Sequence, residues 1–373
     1  MKTQLSSLDM HFLLSELKDL EGSKADKIYI SGKEEVYIQF YKSNVGKKIL
    51  RIIVGKAIFI SDVKNADETP SGFCMMLRKN LEGKFLDSIW QLESERILKL
   101  VFKAKDEAKT LYMEFFGKGN LILCNEEDVI SDSLTRQKFK DRSILPKEKY
   151  KYPNMAYNFF NLKNNQLADL LKNSEKDKIV TCLAVELGLG GNYSEEVCLL
   201  SSISKDTSPK KINNDGISKI ITSIKKIINS KKNPQIVYKD KEAIDSIPAD
   251  LELYNGYEKK KFSGFNEALD TYFTKELKIV KKEETISTKK IEELKRIIEE
   301  QKLTMESMEK KENENRKKAE IIYNNYQLIK EILDEINKAS KRYSWEEIKK
   351  KLKGHKIVKE VNLKDKTVVV DIL

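Results

Sequence analysis

Glu95 and Arg96 stand side by side at the start of a strand-like run, an acid and a guanidinium at one point of the chain. Arginine presents a planar fork that can grip a phosphate or stack on a base. The glutamate can hold that fork, or accept a hydrogen bond from a base or ribose. On spacing alone the plainer reading is a surface ion pair, which contributes little. A second candidate is Leu187-Gly188-Leu189-Gly190-Gly191, set between helical patterns at 180–186 and 194–200. Two short helices joined by such a turn match a helix-hairpin-helix, whose backbone N–H groups at a helix start can hold a phosphate. Gly188, Gly190 and Gly191 are then candidate RNA-backbone contacts; the bland alternative is a helical corner that only packs. Arg136, Lys138, Lys140 and Arg142 form a basic stretch that is either a further backbone contact or a solvated loop.

No catalytic set accompanies these groups. The two histidines, His11 and His355, lie far apart, and Cys74, Cys124, Cys182 and Cys198 form no CxxC pair. Neither a zinc site nor a disulfide framework is expected, and no cofactor is implied. There is no GxSxG elbow and no Walker loop, and Gly117-Lys118-Gly119-Asn120 has a GxG without the rest of a nucleotide fingerprint. The chain therefore reads as a binding protein and not an enzyme. A formal charge of +11 favours a polyanionic partner, with nucleic acid ahead of an acidic membrane surface. No apolar run nears the ~20 residues that span a bilayer, and the polar opening lacks a signal-peptide pattern. A soluble, cytoplasmic protein without a membrane partner is the expectation.

The elements that must position these residues divide the 373-residue chain into several units. A helical pattern at 5–21 precedes strand-like runs at 27–30, 35–41, 49–54 and 57–60, punctuated by Gly32, Gly46 and Gly55. A short helix closed by Gly83 follows, then strands at 97–104, 110–116 and 121–125, giving an α+β domain over residues 1–153. Residues 154–277 read as a helical domain around the glycine turn, including a basic helix near 217–228. Over 278–343 the chain has a heptad seam from Ile291, Leu294 and Ile298 through Met305 and Met308 to Ile329, Leu333 and Ile336. This spacing predicts a coiled-coil arm, one helix of about 75 Å over residues 289–338. Residues 344–373, a capped helix and two strands, read as part of a small α+β domain.

With these elements in order, the chain resembles the NFACT family, formerly labelled fibronectin-binding protein A. The matching stretches include Ser7-Leu8-Asp9, Cys74 through Gly83, Gln91 through Leu100, and Gly117 through Leu123. They continue with Leu145-Pro146 to Tyr152-Pro153, Leu187 through Gly191 with Tyr193-Ser194-Glu195-Glu196, and Phe265 through Phe273. The resemblance implies a glycosylase-like N-terminal α+β domain, a helix-hairpin-helix and a coiled-coil arm carrying a middle domain. It implies a ribosome-rescue factor that binds tRNA and a large ribosomal subunit holding an obstructed peptidyl-tRNA. Such a factor recruits aminoacyl-tRNA, in prokaryotes for alanine tails, and leaves bond formation to the ribosome. The family's Asp-Arg pair, needed for tRNA recruitment, falls on Glu95 and Arg96; glutamate keeps the charge and lengthens the reach by a methylene. Arg78 and Lys79 lie in a matched run and Lys118 in the matched glycine turn, and their charge suits phosphate contact. The family's returning coil helix and C-terminal RNA-binding domain have no counterpart here. The seam is therefore expected to pair with a separate C-terminal half or with a second copy.

Two other classes compete. A DNA-repair glycosylase relative would share the first domain and the helix-hairpin-helix. It would need an N-terminal Pro-Glu, whereas this chain opens Met1-Lys2-Thr3 and its first proline is Pro70. A coiled-coil scaffold with incidental basic charge would show no salt-sensitive RNA binding.

Overall fold

A computed structural model describes residues 1–373 apart from 65, 66, 68, 106, 154, 155, 372 and 373, and describes side chains outside 275–293. The chain forms two compact units, residues 1–281 and 282–373.

In the first unit, Ser6 starts α1 (Ser7–Leu17) through a reciprocal capping box with Asp9. A meander follows: β1 (Lys24–Ser31), β2 (Glu35–Lys42), β3 (Gly46–Ile53) and β4 (Ala57–Ser61). After α2 (Gly72–Leu81), capped by Ser71, come β5 (Phe85–Gln91), β6 (Ile97–Ala104), β7 (Glu107–Glu114), β8 (Asn120–Asn125) and β9 (Ile130–Ser133). All nine strands make one antiparallel sheet in the order β4-β3-β2-β1-β5-β6-β7-β8-β9. Its two halves share a core in which Phe40 stacks on Phe102 at 6.2 Å. At one end the β3–β4 turn touches the β7–β8 turn. A Cβ on Gly119 would stand 2.1 Å from the Gly55 nitrogen, and both glycines have positive φ. Neither position admits a side chain.

The sequence reading misses β5, because a bulge between Leu86 and Ser88 breaks the in–out alternation. It also misses β9, where Ile130 is the single apolar residue. The hairpin of β10 (Gln137–Lys138) and β11 (Ser143–Ile144) completes this part and covers a small outer core of Ile97, Tyr112, Ile122 and Tyr150.

Helices α3 (Asn164–Asn173), α4 (Ile179–Thr181, widened into a π turn over Cys182–Glu186), α5 (Gly191–Ser201) and α6 (Asn214–Ile228) enclose a second core. The expectation of a purely helical region over 154–277 needs correction. It also holds a three-stranded antiparallel sheet, β13-β12-β14, from β12 (Lys232–Lys239), β13 (Glu242–Ala249) and β14 (Glu258–Lys261). Pro234 and Pro248 disguise the strands, and the hairpin turn uses Asp240 and Lys241 at φ 52° and 69° in place of glycine. Helix α7 (Phe265–Thr271) packs back on the first sheet. Glu16 accepts hydrogen bonds from the amides of Phe265 and Asn266 at 2.9 and 2.8 Å, capping α7. Asn266 in turn exchanges two hydrogen bonds with the Ile60 backbone, covering the open edge of β4.

Helix α8 (Leu277–Asn324) leads from the first unit into the second, which continues through α9 (Tyr326–Ser340), α10 (Trp345–Lys351), β15 (Val358–Asn362) and β16 (Thr367–Val370). The expected single helix over 289–338 is interrupted at Asn325. Its φ of −110° and ψ of 20° leave the helical well, and its side-chain amide donates to the Ile321 carbonyl at 3.0 Å. Of the seam residues, Ile291 lies outside the described side chains. Leu294, Ile298, Met305, Met308 and Leu333 are each more than half exposed. Toward its end the stripe is partly covered: Ile329 and Ile336 are half-buried, and α10 packs against α9.

Candidate nucleic-acid interface

Strand β5 runs out at Gln91, and the loop that follows is clamped to the start of α1. The Gln91 side-chain amide donates to Ser7 Oγ at 2.9 Å, to the Ser7 carbonyl at 3.0 Å and to the Glu95 carbonyl at 3.1 Å. Backbone bonds from Glu95 to Leu92 and from Phe115 to Arg96 finish the loop. The main chain at Glu95–Arg96 is thus fixed while both side chains remain available. They are half-buried, and no ion pair among the described residues joins them. The Arg96 guanidinium has no hydrogen-bond or ion-pair partner among the described residues. Burial pulls its pKa below the ordinary value, opposed by the Glu95 charge. Burial likewise pushes the Glu95 carboxyl up, with Arg96 the main opposing charge.

These side chains line a cavity of about 760 Å³, together with Gly188, Gly190 and Gly191 of the glycine turn. Gly188 and Gly190 both sit at φ 81°, a conformation that L side chains rarely adopt. The Leu189 and Gly190 amides are consumed closing the preceding helix, donating to Leu183 and Ala184 at 3.2 Å. Gly191 and Asn192 open α5, where first-turn amides lack intrahelical partners. The structure therefore unites Glu95 and Arg96 with all three glycines picked out by sequence.

A buried polar network makes up another part of the lining. Lys2 Nζ lies 3.0 Å from Asp9 Oδ1 and 2.9 Å from Asp245 Oδ1, and donates to the Ser246 carbonyl at 2.6 Å. Tyr193 donates to Asp9 at 2.9 Å; Tyr254 and Asn192 donate to Asp245 at 2.6 and 2.7 Å. Burial alone would lower the Lys2 pKa, but the Asp245 and Asp9 carboxylates overcome it and hold the ammonium above its ordinary value. Burial and the Asp9 charge push the Tyr193 hydroxyl well above its usual range, so it stays a donor. The N-terminal segment, α1, α5 and β13 are pinned to one another at the cavity. Tyr193 and Asp9 lie inside matched motifs, which is the one signal that points to them.

The remaining candidates lie elsewhere. Arg78 donates to the Ile28 carbonyl at 2.8 Å and lies over Tyr29, while Lys79 is exposed on α2. Lys118 is exposed in the turn that meets Gly55. Arg136 pairs with Asp132 at 3.1 Å, and Lys138 and Lys140 are exposed. Arg142 is committed to Glu114, which is 4% exposed, and packs over Phe139 and Phe116. Its fork has no free face for a phosphate.

The fold is shared with solved bacterial structures. A fibrinogen-binding protein from Staphylococcus aureus aligns at a TM-score of 0.60 with 16% identity, over 72% of this chain and 98% of that one. The N-terminal part of a fibronectin/fibrinogen-binding protein from Streptococcus suis aligns at 0.58 with 21% identity, over 72% and 99%. The class is thus an α+β fold built on a nine-stranded antiparallel sheet, with a cavity between the β5–β6 loop and the glycine turn. A family model described as NFACT N-terminal and middle domains matches residues 6–370, and the chain belongs to that family. The archaeal Rqc2 homolog aRqcH of Methanocaldococcus jannaschii is 33% identical over 95% of this chain and 55% of its own length. The human ribosome quality control complex subunit NEMF is 23% identical over 93% of this chain and 35% of its own. The chain thus spans about half the length of that archaeal relative. No helix among the described residues is long and apolar enough to cross a membrane.

Proposed function

We propose that this chain acts in ribosome quality control, binding tRNA through the Glu95–Arg96 cavity while seated on a large ribosomal subunit that holds an obstructed peptidyl-tRNA. In this reading it recruits aminoacyl-tRNA, alanyl-tRNA by the family's prokaryotic pattern, for template-free tailing. The ribosome makes the peptide bond, and no cofactor is required. The observation that carries the reading is the half-buried Arg96 guanidinium, which has no hydrogen-bond or ion-pair partner among the described residues, in a cavity shared with the Gly188–Gly191 helix start. A desolvated cation without a partner is costly, and a nucleotide phosphate or base edge would satisfy it. The names of the curated relatives favour the same role. Gly188, Gly190 and Gly191 then act as a helix-hairpin-helix contact, with Lys79, Lys118, Lys138 and Lys140 as outlying phosphate contacts. The heptad seam of residues 278–343, exposed at Leu294, Ile298, Met305 and Met308, becomes one strand of a coiled coil, closed by a C-terminal half or a second copy. Residues 344–373 form part of the middle domain.

The test is binding of labelled total tRNA and of large subunits across a salt series, for wild type and Arg96→Ala. Arg96→Ala is expected to weaken tRNA binding by about tenfold, the loss of one forked contact, while its fold is kept. Wild-type affinity in the variant would remove the tRNA site from this cavity.

A further inference from the structure

The outer face of β5 carries two large aromatic side chains that the core does not use. Leu86 and Ile89 point inward and are fully buried, and the bulge between Leu86 and Ser88 lets Phe85 and Trp90 both face solvent. Phe85 is 51% exposed and Trp90 is 54% exposed. Each sits in a cross-strand row with lysines. In the strand register Phe85 lies opposite Lys24 of β1 on one side and Lys103 of β6 on the other. Trp90 lies opposite Lys99 of β6, whose ammonium is turned to Asp128 at 3.6 Å, and Lys18 places its ammonium 5.2 Å from the indole centroid. The acid between the rows, Asp87, is neutralised by Lys103 at 3.0 Å. Because of the bulge, the two rings span four residues of the neighbouring β6, roughly 13 Å along the strand at ~3.3 Å per residue.

An exposed ring flanked by cations suits one kind of ligand: a flat, polarisable group attached to an anionic backbone. Unpaired nucleobases fit, since the ring supplies a stacking face and the lysines meet the neighbouring phosphates. Bases inside a duplex do not fit, because their faces are already stacked. We propose that the outer face of β5 is a stacking platform for unpaired RNA bases, with Trp90 and Phe85 as the stacking rings and Lys18 and Lys24 as the phosphate contacts. The platform is separate from the Glu95–Arg96 cavity, and it rests on the proposal that the protein binds RNA.

The chain has two tryptophans, Trp90 and Trp345, so Trp345→Phe leaves Trp90 as the single reporter. The full chain with that substitution is titrated with labelled total tRNA, with single-stranded oligouridylate, with a loopless duplex, and with phosphatidylserine vesicles. RNA anisotropy and Trp90 emission are followed together. The expected result is quenching of Trp90 by tRNA and oligouridylate, with the same midpoint as the anisotropy change, and none by duplex. Trp90→Ala then weakens oligouridylate binding by about tenfold, and Trp90→Phe restores most of it. Anisotropy that shows tRNA binding while Trp90 emission stays constant overturns the platform and leaves the cavity proposal standing. Absence of any RNA binding overturns both. Quenching by vesicles and not by RNA overturns the platform in favour of a membrane-surface patch.

Discussion

Replacing Lys2 by methionine tests whether the buried network holds the cavity together. The lysine side chain is 8% exposed, and its two partners, Asp9 and Asp245, are 0% and 2% exposed. Methionine fills a similar volume but leaves two carboxylates facing each other without a cation. Removing one member of a buried ion pair costs about 3–5 kcal/mol, because the orphaned charge remains out of water. With a urea m-value of a few kcal/mol per molar, that loss lowers the unfolding midpoint by roughly 1–2 M. Trp90 emission in a Trp345→Phe background reads the first unit selectively, which matters because a chain of two compact units need not unfold in one step. Adding Asp245→Asn to Lys2→Met removes one orphaned charge and should recover part of the loss. The pH dependence has a definite sign. The folded-state pKa of Lys2 is raised, so its contribution is complete below its ordinary value of 10.5 and fades as pH rises through the higher folded value. A Lys2→Met midpoint within 0.3 M of wild type, or a double variant weaker than the single one, would refute the argument that this network is a fully desolvated ion cluster.

Two further outcomes follow from particular contacts. Gly119→Ala forces a Cβ to within 2.1 Å of the Gly55 nitrogen at φ 74°, so strain and overlap together should cost roughly 3–5 kcal/mol, read as a lowered urea midpoint. Glu95→Gln removes a carboxyl whose folded-state pKa is raised by burial. Wild type is penalised for the charged form above that value and relieved as pH falls toward the ordinary 4.5. The glutamine variant should therefore have the higher Tm at pH 7, with the difference closing near pH 4. An unchanged Tm at pH 7 would mean that the carboxylate is effectively solvated.

Local signals made the first domain legible. Glycine punctuation and β-branched runs mark the β1–β4 meander, and Ser71 and Gly83 bracket α2. What escaped was set by partners distant in sequence. The β12–β13 hairpin turns without glycine, and its strands hold together through pairing that no run of eight residues reveals. The heptad seam was visible as a period, but a period does not say what covers it. At the site, Arg96 and Gly188 could each be picked out by chemistry, yet a separation of 92 positions in sequence hides the fact that they share one cavity. Arg142 shows the converse. Its charge was legible in a basic stretch, and Glu114, 28 residues away, has taken it.

That contrast bears on how a chain of charge +11 would recognise RNA. Among the side chains lining the cavity, Lys2 and Arg96 stand against Asp9, Glu95, Glu186 and Asp245, so the lining itself is not a basic funnel. Lys2 is spent on the two aspartates, which leaves Arg96, among the described residues, as the cationic side chain the cavity offers. If the cavity is the tRNA site proposed above, long-range attraction would come from the exposed lysines outside, and the cavity would discriminate by shape and by a few directed contacts. Phosphate contacts position and base contacts specify. On that division of labour, Arg96→Ala should reduce the affinity for tRNA while changing the slope of log affinity against log salt by no more than about one. Charge reversals on the outer lysines should flatten that slope and spare discrimination between RNAs. If Arg96→Ala instead abolished the salt dependence, the cavity would be the electrostatic site, and the buried aspartates would have to be neutralised by something other than Lys2.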